Sequence, residues 1–162
     1  MTIQAVTEEQ SKAIHTVLSD FLVLSEANAA FLSDNGGNLI AFTTTTDSPD
    51  DSIYTIAALA AGSFCATREL ASLIKEPSFH SIFHQGDKTS IYMRSIGSDY
   101  LILVIFGKNT PVGLVKLYAD RATQELDPVL KQIDAQVGQS GVGLGNIFEL
   151  SGKDAFRKKP GA

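Results

Sequence analysis

The chain of 162 residues is 44% hydrophobic and 19% charged, with a formal net charge of −5 at pH 7. That length suits one domain with its own core, and an acidic chain without a basic stripe is a poor match for nucleic acid, whose binding depends on neutralising phosphates. The single cysteine, Cys65, leaves no internal disulfide to form, and the longest apolar run, YLILVIF at 100–106, is shorter than the roughly 20 residues of a membrane helix. Because the amino terminus also has no pattern of a secretion signal, we expect a cytoplasmic protein without membrane insertion.

The first predicted elements are a helix and a β-hairpin. Thr7 and Gln10 have the spacing of a capping box. Apolar residues then recur at helical spacing, which predicts a helix over 8–26 with a stop at Asn28. Two short apolar runs flank an Asn-Gly turn, which favours a hairpin. We expect the strands at 29–33 and 38–42, the turn at 34–37, and a polar loop at 43–51.

The middle of the chain predicts a second helix and three strands. The helix is expected over 53–75, with Asp51 or Ser52 as its cap and Pro77 ending it. The run at 100–106 shows no alternation of apolar and polar residues, so it indicates a central strand covered on both faces. The strands are expected at 78–83, 88–96 and 100–106, with turns at 84–87 and 97–99.

A third helix should follow, with Thr110 as its cap and Pro111 at its first position. Pro128 should kink this helix, or restart it with Asp127 as a new cap. Its buried side is expected to carry Leu114, Leu117, Tyr118, Ala122 and Leu126. We therefore expect one domain over 1–137, followed at 138–162 by a glycine-rich linker and a flexible carboxy-terminal tail.

The predicted order α-β-β-α-β-β-β-α indicates an α/β fold of three layers. Consecutive hairpins favour a five-stranded, mostly antiparallel sheet, and three helices are enough to place helices on both of its faces.

Small residues crowd the second helix in the stretch IAALAAGSFCATREL, 56–70. We expect a stripe of larger apolar residues to pack on the sheet, formed by Ile56, Leu59, Ala66, Leu70 and Leu73. The neighbouring side carries Ala58, Ala61, Gly62, Cys65 and Ser72. One interpretation is that this side contacts another protein, since small side chains allow a close approach. The other is that alanine is simply a good helix former.

Three strings in this order resemble the Roadblock family (dynein light-chain type), in its bacterial MglB-like branch of GTPase-activating proteins. They are LAAGSFCATRELASLI at 59–74, FHQGDKTSIYM at 83–93 and LVIFGKNTPVGLVKLYADRATQEL at 103–126. The similarity extends over residues 7 to 137 and does not clearly include the tail.

The resemblance implies a homodimer in which two sheets join edge to edge and the second helices pair across the two-fold axis. It implies that the paired helices bind a small Ras-like GTPase (MglA-like), and that they stimulate its hydrolysis by repositioning its switch regions, as in cell polarity or motility control. Carried over by position, the expected GTPase-binding residues are Ala57, Ala58, Ala61, Cys65 and Arg68, and the expected dimer-interface residues are Gly62 and Ala66.

The resemblance implies no cofactor and no catalytic residue in this chain. Arg68 could act as an arginine finger or, as the resemblance favours, as an ordinary interface contact. The alternative function is a scaffold that binds a GTPase or another Roadblock protein without stimulating hydrolysis. Two interpretations of the tail remain open. Phe148, Leu150 and Phe156 form a docking motif, or the tail is a disordered end that carries stray aromatic residues.

Other chemistry has little support in the sequence. His80 and His84 are four residues apart, which on a strand separates them by about 13 Å and is too far for one metal ion. The strings GKNT at 107–110 and GVGLGN at 141–146 lack the spacing of phosphate-binding and dinucleotide-binding loops. We therefore predict no metal site and no nucleotide site.

Overall fold

Eight elements follow one another in the predicted order. The computed structural model of the protein describes residues 6–46 and 51–139, so the predictions for 47–50 and for 140–162 fall outside the described part. The bounds are α1 Glu8–Ser25, β1 Ala29–Asp34, β2 Leu39–Thr44, α2 Ser52–Leu73, β3 Ser81–His84, β4 Thr89–Ile96, β5 Tyr100–Gly107 and α3 Val112–Gln139.

The five strands form one sheet in the order β2-β1-β5-β4-β3, and every neighbouring pair is antiparallel. β5 is the central strand and is buried along most of its length, as its unbroken apolar run predicts. α1 and α3 pack together on one face of the sheet, while α2 packs on the other. The predicted three-layer α/β fold is confirmed.

α1 begins at the predicted capping box. The backbone N–H of Gln10 donates to Thr7 Oγ1 over 3.1 Å, and the N–H of Thr7 donates to Gln10 Oε1 over 3.0 Å. The helix ends at Ser25, because Glu26 takes a left-handed conformation with φ of 59°. It therefore ends three residues before the predicted stop at Asn28.

α2 ends before the predicted proline. Lys75 lies in the left-handed region, with φ of 61°. Its N–H donates to the Ser72 carbonyl, and the N–H of Glu76 donates to the Ala71 carbonyl. This is the Schellman pattern that closes a helix, so the chain has already turned before it reaches Pro77.

α3 corrects two predictions. The helix runs without a break through Pro128, so the restart capped by Asp127 is wrong, and the Asp127 carboxylate instead lies 2.7 Å from Lys131 Nζ. Burial of Leu126 and Leu130 on either side of the proline keeps the helix continuous. Leu117 is 62% exposed rather than buried. The buried apolar positions are spaced three or four apart, at Val115, Ala119, Ala122, Leu126, Leu130 and Ile133.

A candidate partner-binding surface on the second helix

α2 lies on the sheet through its small side chains, with one large residue among them. The buried positions of the helix are Ala57, Ala60, Ala61, Phe64 and Ala71. The predicted orientation is therefore wrong, because Leu59, Leu70 and Leu73 are 70%, 56% and 81% exposed. Ala66 of the same predicted stripe is also exposed. The three leucines of the helix therefore point away from the sheet, whereas Phe64, Ile53 and Ile56 pack against it.

The turn between β1 and β2 explains why small residues line one edge of α2. Gly37 has φ of +85°, and a Cβ atom added there would lie 2.8 Å from the Cα of Ala58. Nearby, the Cys65 thiol approaches the Asn35 carbonyl at 3.8 Å. The turn thus lies directly against the helix, and side chains larger than alanine or cysteine would push the two apart.

The outward side of α2 carries a continuous apolar stripe. Its members are spaced three or four residues apart and so lie on one face of the helix. We call this set the outer stripe: Leu59, Gly62, Ala66, Leu70 and Leu73. A Cβ atom added at Gly62 would meet nothing within 4 Å, so the space above the stripe is open. Large apolar side chains that remain in water in such a row are typical of a surface that another protein covers.

One helix is also too narrow for the face of the sheet on which it lies. Five strands spaced about 4.8 Å apart span roughly 19 Å, whereas a helix with its side chains is about 10–12 Å wide. Beside α2, Phe42, Ile56 and Ile105 remain only partly buried and border an open groove of about 370 Å³. The opposite face, which carries both α1 and α3, contains the larger core cluster.

The structure places the predicted site residues on different sides of α2. Of the expected GTPase-binding residues, Ala57 and Ala61 are 1% and 2% exposed and face the sheet. Ala58 is exposed, while Cys65 and Arg68 are half-buried along the edges of the helix. The expected dimer residues, Gly62 and Ala66, are both exposed within the outer stripe.

Arg68 is held against its own helix. The centre of its guanidinium lies 5.3 Å from the centroid of the Phe64 ring, within the range of a cation–π contact. Beyond it, a shallow groove of about 640 Å³ between the end of α2 and the start of β3 also contains Lys75 and His80. Arg68 is therefore a positioned cation at the rim of the helix.

Sequence reasoning missed two parts of this surface. The large members of the outer stripe were assigned to the core, because size and apolarity alone do not distinguish a core from an interface. The edge strand β3 pairs with β4 on one side, and its residue Phe83 is 38% exposed. A short amphipathic strand before a tight turn gives no sequence signal that it lies at an edge.

Three further features of the described residues concern metal binding, titration and the membrane. Within 6–46 and 51–139, no group of three His, Cys, Asp or Glu side chains is arranged to hold a metal ion. The pKa of Tyr100 is raised, first by burial and then by the hydrogen bond from its hydroxyl to the Asp134 carboxylate, which measures 2.5 Å. No helix within these ranges combines the length and the apolar character needed to cross a bilayer.

Comparison with known proteins defines the class. Residues 13–106 match the family model of the Roadblock/LC7 domain. Among solved structures, Myxococcus xanthus MglB is 34% identical with a TM-score of 0.72, and the match covers 79% of this chain and 95% of that one. The gliding protein MglB of Thermus thermophilus is 29% identical with a TM-score of 0.73, over 78% and 95% of the two chains. MglB in a tetrameric arrangement is 28% identical with a TM-score of 0.74, over 79% and 95%.

The three layers and the matched residues define an α/β protein of the Roadblock type. The chain belongs to the Roadblock/LC7 family, and its structure is MglB-like. The predicted resemblance is confirmed at this level.

Proposed function

We propose that the protein is a homodimeric regulator that binds a small Ras-like, MglA-like GTPase and stimulates its GTP hydrolysis. The observation that carries the proposal is the outer stripe, which leaves Leu59, Leu70 and Leu73 in water on an MglB-like chain. Membership in the Roadblock/LC7 family supports the same assignment. The process that such a regulator would serve is cell polarity or motility, in keeping with the gliding protein of Thermus thermophilus.

In the proposed dimer, α2 of one protomer lies against α2 of the other. Gly62 and Ala66 are the smallest members of the outer stripe, so their positions let two helix backbones approach closely, while the leucines on either side are buried. The resemblance implies that the sheets also join edge to edge, and β3 is one of the two edge strands available for this. A two-fold axis places the same residues opposite one another.

The GTPase would contact the edges of the paired helices rather than their sheet-facing sides. Ala58, Cys65 and Arg68 remain available there, whereas Ala57 and Ala61 would act by letting the helix sit close to the sheet. The regulator supplies no catalytic group and instead shifts the switch regions of its partner. Each tenfold gain in the partner's rate requires about 1.4 kcal/mol less activation free energy, and a better-placed water and switch loop can supply several such factors.

The test is a phosphate-release assay with the full-length chain, an MglA-like GTPase, GTP and magnesium. We expect acceleration that saturates near two protomers per GTPase. The matched variants are Leu59→Ser, which changes the outer stripe, and Leu117→Ser, which changes a comparably exposed leucine on α3. The proposal is supported if Leu59→Ser loses the stimulation of hydrolysis and Leu117→Ser keeps it. Tight binding without acceleration by the wild-type protein contradicts it.

A scaffold that binds a GTPase or another Roadblock protein without changing hydrolysis is the second candidate. The apolar character of the outer stripe favours it, since such a stripe holds a partner without contributing chemistry. The same titration separates the two functions, because a scaffold gives a binding curve with an unchanged rate of phosphate release.

A further inference from the structure

An apolar cavity lies at the edge of the sheet formed by β2, mainly on the face that carries α1 and α3. Its volume is about 520 Å³, within the range of about 300–1,000 Å³ typical of pockets that bury a ligand. Its walls come from the start of α1, from β2 and from the second half of α3, and include Ile14, Ile40, Leu130 and Ile133. Tyr54, which is 62% exposed, closes one side.

We propose that this cavity is the docking site for the segment Ile147–Leu150 of the same chain, with Phe148 and Leu150 as its apolar anchors. The proposal is independent of the GTPase and of the dimer. It concerns the tail residues 140–162, which follow α3 directly in the sequence.

Chain connectivity favours this occupant. Ile133 lines the cavity, and α3 continues from it for six residues to Gln139, about 9 Å along the helix axis. Nine further residues lead from Gln139 to Phe148, and the intervening stretch SGVGLGN is rich in glycine. A flexible chain of nine residues has a root-mean-square span of about 15–18 Å. The linker is therefore long enough to turn back to the cavity, and the effective concentration of a segment tethered so closely is high.

The charge of the tail as a whole, though not of Ile147–Leu150, which contains Glu149, complements the carboxylates near the cavity. Glu8 and Tyr100 line the cavity, and the carboxylates of Asp134, Asp99 and Asp34 act electrostatically on Tyr100. None of the ion pairs within the described ranges involves these four carboxylates. The tail carries four basic and two acidic side chains, and three of the basic ones are consecutive at 157–159. Residues 1–5, which precede α1 in the sequence, carry no basic side chain.

The absence of tryptophan from the sequence makes the test direct. In the full-length chain, Phe148→Trp introduces a single tryptophan in the proposed anchor, and Phe156→Trp introduces one beside the basic run. We expect Phe148→Trp to emit at shorter wavelength and to be quenched several-fold less by acrylamide than Phe156→Trp. Adding Leu150→Ser to Phe148→Trp changes only the tail, so it cannot unfold the domain, and it should bring the emission to that of a tryptophan in water.

A change in the cavity wall completes the test. In the Phe148→Trp chain, Ile40→Lys should raise quenching while Ile40→Val should not, with circular dichroism confirming the fold of both. Equal quenching of the two tryptophans in the parent variants would overturn the proposal. Protection that disappears on dilution would also overturn it, because the tail would then occupy the cavity of another molecule.

Discussion

Ala61 and Gly62 are adjacent in α2 but face opposite environments. Ala61 is 2% exposed and packs on the sheet, whereas the space where a Cβ of Gly62 would lie is open. Arginine at these two positions should therefore have opposite effects on the isolated protomer. The family resemblance assigned Ala61 to GTPase binding and Gly62 to the dimer interface. The structure buries Ala61 against the sheet and leaves Gly62 exposed.

We expect Ala61→Arg to destabilise the protomer by several kcal/mol, because a long charged side chain must be forced into a close-packed interface. Gly62→Arg should keep the fold and raise its helix propensity by roughly 0.5–1 kcal/mol. Urea unfolding measured by circular dichroism at high dilution compares the two variants. Equal stability of both would show that α2 is rotated differently on the sheet.

Gly37→Ala should destabilise the protein by about 1–3 kcal/mol. The substitution places a side chain at φ of +85°, with its Cβ 2.8 Å from the Cα of Ala58. Gly36→Ala is the matched control, because a Cβ there meets only the flexible ends of Asp34 and Asn38, at 3.3 and 3.4 Å. Chemical denaturation of the two variants under one condition makes the comparison. A larger loss in Gly36→Ala would contradict the close contact between the turn and α2.

Arg68→Ala should weaken binding to the GTPase while leaving the hydrolysis rate at saturation within about tenfold of wild type. An arginine finger would instead lower the saturating rate by about 10³–10⁵. Arg68→Lys, which keeps the charge over Phe64, should bind more tightly than Arg68→Ala. Single-turnover hydrolysis over a range of regulator concentrations separates affinity from rate. A large loss of rate at saturation would assign Arg68 a direct part in the chemistry.

The free energy of unfolding should fall more steeply above pH 10 in the wild type than in Tyr100→Phe. The pKa of Tyr100 is raised above the ordinary value of 10.0 by burial and by Asp134, so the folded state keeps this proton where the unfolded state releases it. The contribution is complete below pH 10 and decreases as the pH rises toward the raised pKa. Denaturant melts of both proteins between pH 8 and 11 make the comparison. Parallel curves would show that Tyr100 titrates normally.

Local rules predicted much of this fold. The capping box at Thr7, the Asn-Gly turn and the central strand at 100–106 each depend on residues close together in sequence, and all three occur in the structure. The course of α3 through Pro128 was not predictable in this way, because buried leucines on either side offset one missing hydrogen bond.

The orientation of α2 on the sheet could not be predicted from the sequence, for a different reason. Apolar or small residues occupy nearly every side of this helix, so periodicity does not single out a buried face. The close approach of Gly37 to Ala58 limits how the helix can lie on the sheet, and only the structure reveals this contact. Leu59, Leu70 and Leu73, which their size would assign to the core, instead lie in the exposed outer stripe.

The mass of the protein in solution tests the account most directly. Each chain has a mass of 17.3 kDa. Sedimentation equilibrium should give twice that mass for the wild type at micromolar concentrations and a single-chain mass for Gly62→Arg, with Gly62→Ala remaining a dimer. A wild-type protein that sediments as one chain of 17.3 kDa at every concentration would contradict the claim that a second copy covers the outer stripe.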